Sequence, residues 1–208
     1  MSETRIKGYI HTLIVGYLIL FIINATLSVA GICDFSVWFA AYYPFLIIAT
    51  FLGLNIVVSM LTRVIPQDKI NIHSWCFKTF KSERKLYESL GVKKFKDKIP
   101  DMGGVLTGFS KSELVSADPR YLEKFIKETI LGELSHLLGI LCCVFIFLIF
   151  NEYVLNFALP LFFLNTYFNI MPLIVQRYNR PKLYRIYERQ LSHKNQKEEE
   201  EVQESYGN

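Results

Sequence analysis

Glu133 and His136 stand three residues apart in Gly132-Glu133-Leu134-Ser135-His136, at the start of an apolar run. On a helix that spacing puts both side chains on one face. A carboxylate beside an imidazole orients the ring and supports the proton it takes up, as a general base acting on a hydroxyl requires. Glu128 falls two turns before His136 on roughly the same side. The same pair also fits a structural polar contact, since structural networks recruit such residues too. A metal role fits less well. Glu-x-x-His occurs once here, whereas di-iron bundles carry it twice with two further glutamates.

Asn165, Asn169 and Gln176 follow in the next apolar run, in steps of four and seven that bring them close to one helical face. Such a face can hydrogen-bond a substrate head group or glue two helices together. The run ends in Gln176-Arg177-Tyr178-Asn179-Arg180-Pro181. Two arginines and an aromatic suit a phosphate or phosphopantetheine group. Either arginine alone equally suits ordinary anchoring at a membrane surface. His11, Asn24 and Asn55 are single polar residues in apolar runs and read as packing contacts. Several chemistries are absent. The positions five after His11, His73 and His136, which the Asp of a His-x4-Asp acyltransferase motif would fill, hold Gly16, Lys78 and Leu141. There is no Gly-x-Ser-x-Gly elbow and no phosphate-binding Gly-rich loop.

The elements that must position these residues are four apolar runs, at 9–30, 37–61, 130–150 and 154–175. A span of about 20 residues at about 1.5 Å each crosses the hydrocarbon core. The first run is too long for the h-region of a cleaved signal peptide and a second follows it closely, so it reads as retained. All 23 Lys and Arg lie within 5–7, 63–127 and 177–197. The positive-inside rule then puts both termini and the central segment in the cytoplasm, with Asp34 and Glu152 in the outer connections. The expected fold is an all-α integral membrane protein: four transmembrane helices in two hairpins, with a cytoplasmic amphipathic central segment. Residues 1–183 form one membrane domain, 62–129 its cytoplasmic segment, and 184–208 a cytoplasmic tail, disordered from 192 onward around the acidic run Glu198–Glu201.

In the central segment, Ile72, Trp75, Cys76, Thr79, Phe80, Leu86, Tyr87 and Leu90 follow a helical stripe interrupted at Glu83, with Gly91 suited to its C-cap. A basic amphipathic helix beside membrane spans reads as an interfacial element, or as a solvated helix packed on the segment itself. The alternating charges of Lys93–Lys98 and the turn Pro100–Gly104 read as irregular. Asp118 is a good N-cap and Pro119 a good first residue for a helix running into the third span. Cys33, Cys76, Cys142 and Cys143 have no metal-ligand or disulfide spacing. The net charge of +4 is a topology signal; no base-reading motif accompanies it, and no nucleic-acid partner is expected.

Three motifs occur together in this order: Lys93-Lys94-Phe95-Lys96-Asp97-Lys98-Ile99-Pro100-Asp101; Glu128-Thr129 with Gly132-Glu133-Leu134-Ser135-His136; and Asn169 and Pro172 with Gln176-Arg177-Tyr178-Asn179-Arg180-Pro181. In this the chain resembles the glycosyl-4,4'-diaponeurosporenoate acyltransferase, or CrtO-type, family over roughly 65–183. Phe95, Leu137 and Leu173 depart from it, at positions where Trp, Trp and Cys are usual. The resemblance implies a small bacterial membrane enzyme that esterifies the sugar of a carotenoid glycoside with a fatty acyl chain. It brings Lys96, Asp97 and Asn179 in as donor- or substrate-binding residues beside Glu128.

The expected activity is O-acyl transfer from a cytoplasmic thioester, acyl-CoA or acyl carrier protein, to a hydroxyl of a glycosylated carotenoid or other isoprenoid or glycolipid. His136 is the general base, oriented by Glu133. Arg177 and Arg180 hold the donor's phosphates or the developing negative charge. Asn169 and Gln176 position the hydroxyl. No bound cofactor is expected; the partners are the lipid acceptor and the bilayer. The rivals are another lipid-modifying enzyme, of methyltransferase or reductase class, and a non-enzymatic transporter subunit or scaffold.

Overall fold

The computed structural model describes residues 3–32, 37–99, 114–150 and 154–207. It is all helix and connection: α1 (Glu3–Val29), α2 (Val37–Arg63), 3-10 turns at Gln67–Lys69 and Trp75–Phe77, α3 (Lys81–Ser89), α4 (Val92–Phe95), α5 (Pro119–Ile149), a π turn at Val154–Ala158 and α6 (Leu159–Gly207). Four helices, α1, α2, α5 and α6, are long and apolar enough to cross a membrane. Their outer faces are apolar too, with Ile14, Ile22, Phe45, Val57, Phe145 and Phe163 all more than half exposed. Asp34, Glu152, the Pro100–Gly104 turn and Cys33 lie outside the described residues.

α1 packs along α2, α5 along α6, and α2 joins the two pairs by touching both α5 and α6. The core between α2, α5 and α6 is Ile47, Phe51, Cys143, Phe157 and Leu161. α5 starts where Asp118 Oδ1 accepts from the Arg120 backbone N–H at 2.7 Å, with Pro119 in the first turn. At 31 residues it is about 46 Å long, more than the hydrocarbon core of about 30 Å, so its charged first turns must project.

The central segment after α2 is strapped onto α5 and α6. Ile70 and Ile72 are buried with Ile126, Ile130 and Leu131, and with Leu183 and Tyr184 of α6 beside them. Tyr87 of α3 and Val92 of α4 are buried against Ile174. The stripe expected as one helix from 72 to 90 is broken into the 3-10 turn Trp75–Phe77, extended residues, and α3. The cause lies in the partner helix. Arg180 donates to the Phe77 carbonyl and Arg177 to that of Lys78, both at 3.2 Å, and the Tyr184 hydroxyl donates to the Ile72 carbonyl. Gly91 does end α3, at φ 77°, which a residue with a Cβ adopts only at a cost. Val92–Phe95 is a single helical turn where irregular chain was expected.

The tail differs as well. α6 continues through Gly207, where disorder was expected from 192. Its last turns are exposed and rich in Glu, Lys and Gln, strong helix formers that need no packing partner to favour this conformation.

Candidate active site

α5 and α6 bring two polar groups together, one above the other. The outer one is ionic. Arg177 donates Nε to Glu83 and Nη1 to Glu133, and its Nη2 reaches Glu83 Oε2 at 3.1 Å. Arg180 Nη1 lies 2.5 Å from Glu133 Oε2, a charge contact whose geometry leaves that oxygen without a true hydrogen bond. Arg180 also donates to the Thr129 carbonyl at 3.3 Å, and its guanidinium lies over the Phe77 ring. Two carboxylates thus face two guanidiniums. Arg180 is fully buried and Glu133 nearly so.

Glu83 is the residue that broke the apolar stripe in the sequence, and here it is the reason α3 docks. Burial pushes its carboxyl up, but the Arg177 hydrogen bond, the Tyr87 hydroxyl and the Arg177 charge outweigh that and hold it below the ordinary value. Burial, then the Glu83 contact, pushes the Tyr87 phenol up to about 12, so it stays a donor. Glu88 adds a second tie, accepting from the Tyr178 hydroxyl at 3.1 Å. That bond, and next the one from Lys93, lowers its carboxyl.

The inner group is neutral. His136 Nδ1 lies 2.8 Å from Asn169 Oδ1. Asn169 Nδ2 donates to the Asn165 carbonyl at 2.8 Å and to Asn165 Oδ1 at 2.9 Å. Asn165 Nδ2 donates to the Gly139 carbonyl at 2.9 Å. From α2, Asn55 Nδ2 donates to Asn165 Oδ1 at 3.0 Å and to the Phe51 carbonyl at 2.7 Å. Nearby, Ser59 and Ser135 hydroxyls meet at 3.2 Å. Asn165 and Asn169 are buried, whereas His136 is half-buried.

Several expected roles change on this geometry. The Nδ1 partner of His136 is the Asn169 amide, while both Glu133 oxygens face the arginines. Glu133 therefore joins α6 to α5 rather than orienting the ring at Nδ1. Asn169 gives Nδ2 to Asn165 and turns Oδ1 to His136, so its amide joins the ring to Asn165. Arg180, buried and paired, has no face for a donor phosphate; Arg177 keeps a side chain 16% exposed. Glu128 is committed elsewhere, accepting from Arg63 at 2.7 and 2.9 Å and from Gln67 at 2.6 Å, so it fastens the end of α2 to α5. Lys96 and Asn179 are half-buried and Asp97 exposed; among the described residues no hydrogen bond or ion pair joins their side chains to either group. Gln176 retains a buried Oε1 with no donor among the described residues.

Arg63, Gln67 and Glu83 were missed. Each meets its partner across 61 residues or more, a distance at which helical spacing carries no signal. A groove of about 450 Å3, lined by Tyr43, Leu46, Thr50, Ile146, Phe150 and Phe157, lies about 15 Å farther along α5 from His136. Its lining is mostly apolar, with room for a hydrocarbon chain, and includes neither His136 nor a member of the ionic group. Among the described residues no three His, Cys, Asp or Glu could hold a metal ion.

No curated protein and no solved structure matches this chain. A family model does: the one described as glycosyl-4,4'-diaponeurosporenoate acyltransferase, CrtO, over residues 71–189. The matched stretch holds the central segment from residue 71 on, His136 and the whole ionic cluster, and it is more than half of the 208 residues. The chain therefore belongs to the glycosyl-4,4'-diaponeurosporenoate acyltransferase (CrtO) family.

Proposed function

We propose that this protein transfers a fatty acyl group from a thioester, acyl-CoA or acyl carrier protein, to a hydroxyl of a membrane glycolipid, such as the sugar of a glycosylated carotenoid or another isoprenoid. The observation that carries the reading is His136. Its imidazole is half-buried and held at Nδ1 by Asn169, inside a membrane family whose name is an acyl transfer. The hydroxyl of the acceptor gives its proton to the imidazole as its oxygen bonds to the thioester carbonyl carbon. The tetrahedral adduct collapses, the C–S bond breaks, and the leaving thiolate takes the proton back from the imidazolium. Ester and free thiol are the products.

Gln176 is the group left to meet the acceptor. A buried acceptor without a donor costs about 1–3 kcal/mol, which a hydroxyl of the acceptor other than the reacting one would relieve at Oε1. Arg177, through its exposed edge, is the remaining candidate for the donor's anionic carrier. The concentration of Lys and Arg in the segments at this end of the bundle supports a cytoplasmic position for it by the positive-inside rule. There a water-soluble thioester and a lipid with its head at the interface can meet.

The test is chemical. Protein purified into nanodiscs is given acyl-CoA labelled in its acyl chain and a glycosylated isoprenoid. Label appearing in an ester of that lipid, with stoichiometric release of free CoA, supports the reading. Failure with acyl-CoA and with acyl carrier protein, over a panel of glycolipids, overturns it.

A further inference from the structure

Backbone carbonyls can only accept hydrogen bonds, and two of them determine which way every amide in the inner group points. The Gly139 carbonyl meets Asn165, so the atom there is Nδ2 and the other end of that amide is Oδ1. The Phe51 carbonyl meets Asn55 in the same way, so Asn55 presents Nδ2 to that Asn165 oxygen. Asn165 Oδ1 and its own carbonyl, both acceptors, then require Nδ2 of Asn169. What Asn169 offers to His136 is therefore Oδ1, with no hydrogen of its own. The proton between them belongs to His136 Nδ1.

We propose that Asn55, Asn165 and Asn169 are positioning residues that hold neutral His136 in its Nδ1–H tautomer, so that the lone pair is at Nε2. On the acyl-transfer reading, on which this consequence rests, Nε2 is the atom that takes the hydroxyl proton. The amide oxygen orients the ring without setting a charge against it, and it continues to accept from Nδ1–H when the ring is protonated. The chain of bonds couples three helices, α2, α5 and α6, to one nitrogen.

Position 139 completes the arrangement. A Cβ there would stand 3.3 Å from Asn169 Oδ1 and 3.4 Å from Asn55 Oδ1. Glycine inside a helix costs roughly 0.5–1 kcal/mol relative to alanine, yet here alanine would press on the oxygen that His136 uses.

The experiment is nitrogen NMR on the full chain in nanodiscs with 15N-labelled histidine side chains, at a pH where His136 is neutral. Its signals are assigned by their loss in His136→Gln. The expected result is a protonated-type shift at Nδ1 and an unprotonated one at Nε2. Asn169→Leu should release the ring to a tautomer mixture or the Nε2–H form, while Asn169→Asp, which can still accept from Nδ1–H, should keep the Nδ1–H form. An Nε2–H tautomer in the unmodified protein overturns the proposal, whether or not the protein proves to be an acyltransferase. An Nδ1–H tautomer in a protein that transfers no acyl group leaves the relay standing and removes only the catalytic use of it. In an active protein, Asn169→Leu should lower kcat by tenfold or more with KM little changed; a fall in KM-dependent binding alone would show that Asn169 serves the substrate instead.

Discussion

Thr79 donates its hydroxyl to the backbone carbonyl of Arg177 at 3.0 Å. That carbonyl is unclaimed within α6, because the residue four positions on is Pro181, which has no N–H to give it. A proline that would otherwise leave an open bond in a long helix thus creates the docking point for the central segment. Arg177 uses its side chain on the same segment, so one residue of α6 holds the strap through both its carbonyl and its guanidinium.

Replacing Thr79 by Val keeps the shape and removes the donor. The cost should be about 1 kcal/mol, or roughly a fivefold larger population of the undocked strap. Limited proteolysis within 66–95 should accelerate by that factor in Thr79→Val and not in Thr79→Ser. Equal rates in all three proteins would mean that the hydroxyl contributes nothing to docking.

Glu128 has a side chain only 4% exposed and depends on Arg63 and Gln67 for its partners. Arg63→Ala should lower stability by about 1–3 kcal/mol, because it leaves most of a buried charge uncompensated. Arg63→Met with Glu128→Met should cost less than the single change, since it removes the buried charge along with its partner. Thermal denaturation in detergent ranks the two. A double variant worse than Arg63→Ala would contradict the assignment of Glu128 as a fastening residue.

Acid should loosen the strap. The folded Glu83 carboxyl is held below its ordinary value of 4.5, so its contribution is present above that value and is lost as pH falls through the lower folded one. Protection of the 70–95 segment against hydrogen exchange should therefore decline below about pH 4.5, and Glu83→Gln should show reduced protection at neutral pH with no further acid step at this site. An acid transition unchanged in Glu83→Gln would place the sensitive group elsewhere.

Trp75 is 75% exposed, and Phe80, Leu86 and Leu90 are each more than half exposed on the same strap, with Lys81 and Lys85 exposed beside them. The buried face of the strap is used on α5 and α6, so this second apolar set fits the membrane interface. In a Trp38→Phe background, Trp75 fluorescence should be quenched by lipids brominated near the headgroup, and less by lipids brominated at the chain ends. Quenching by aqueous iodide alone would place this face in water.

The four long helices were legible because apolar runs, three of them charge-free over more than 20 residues and the third in order broken only by Glu133 at its start, report on one chain segment at a time. The same holds for the Asp118–Pro119 start of α5 and for Gly91. Pairing between segments was not legible. Periodicity put Asn165 and Asn169 on a common face but could not say that Asn55 and His136 would meet them there. It ranked Glu133 as the partner of His136 because the two are neighbours on one helix, whereas Arg177 and Arg180 approach Glu133 from another. The stripe from Ile72 to Leu90 has helical spacing apart from Glu83, yet its carbonyls at Phe77 and Lys78 are taken by arginines about 100 residues away. Tertiary hydrogen bonds overrode a local pattern that was correct as far as it went.

On the proposed function the His136 imidazole removes the acceptor's proton during acyl transfer. The direct measurement is single-turnover ester formation in nanodiscs by the unmodified protein and by His136→Gln, with folding checked by the thermal transition of each. A base in this role is worth about 10²–10⁴ in rate. A fall of that size is expected in the His136→Gln chemical step, with an intact fold and nearly unchanged donor binding. A variant that folds normally and forms ester within a few-fold of the unmodified rate would contradict it.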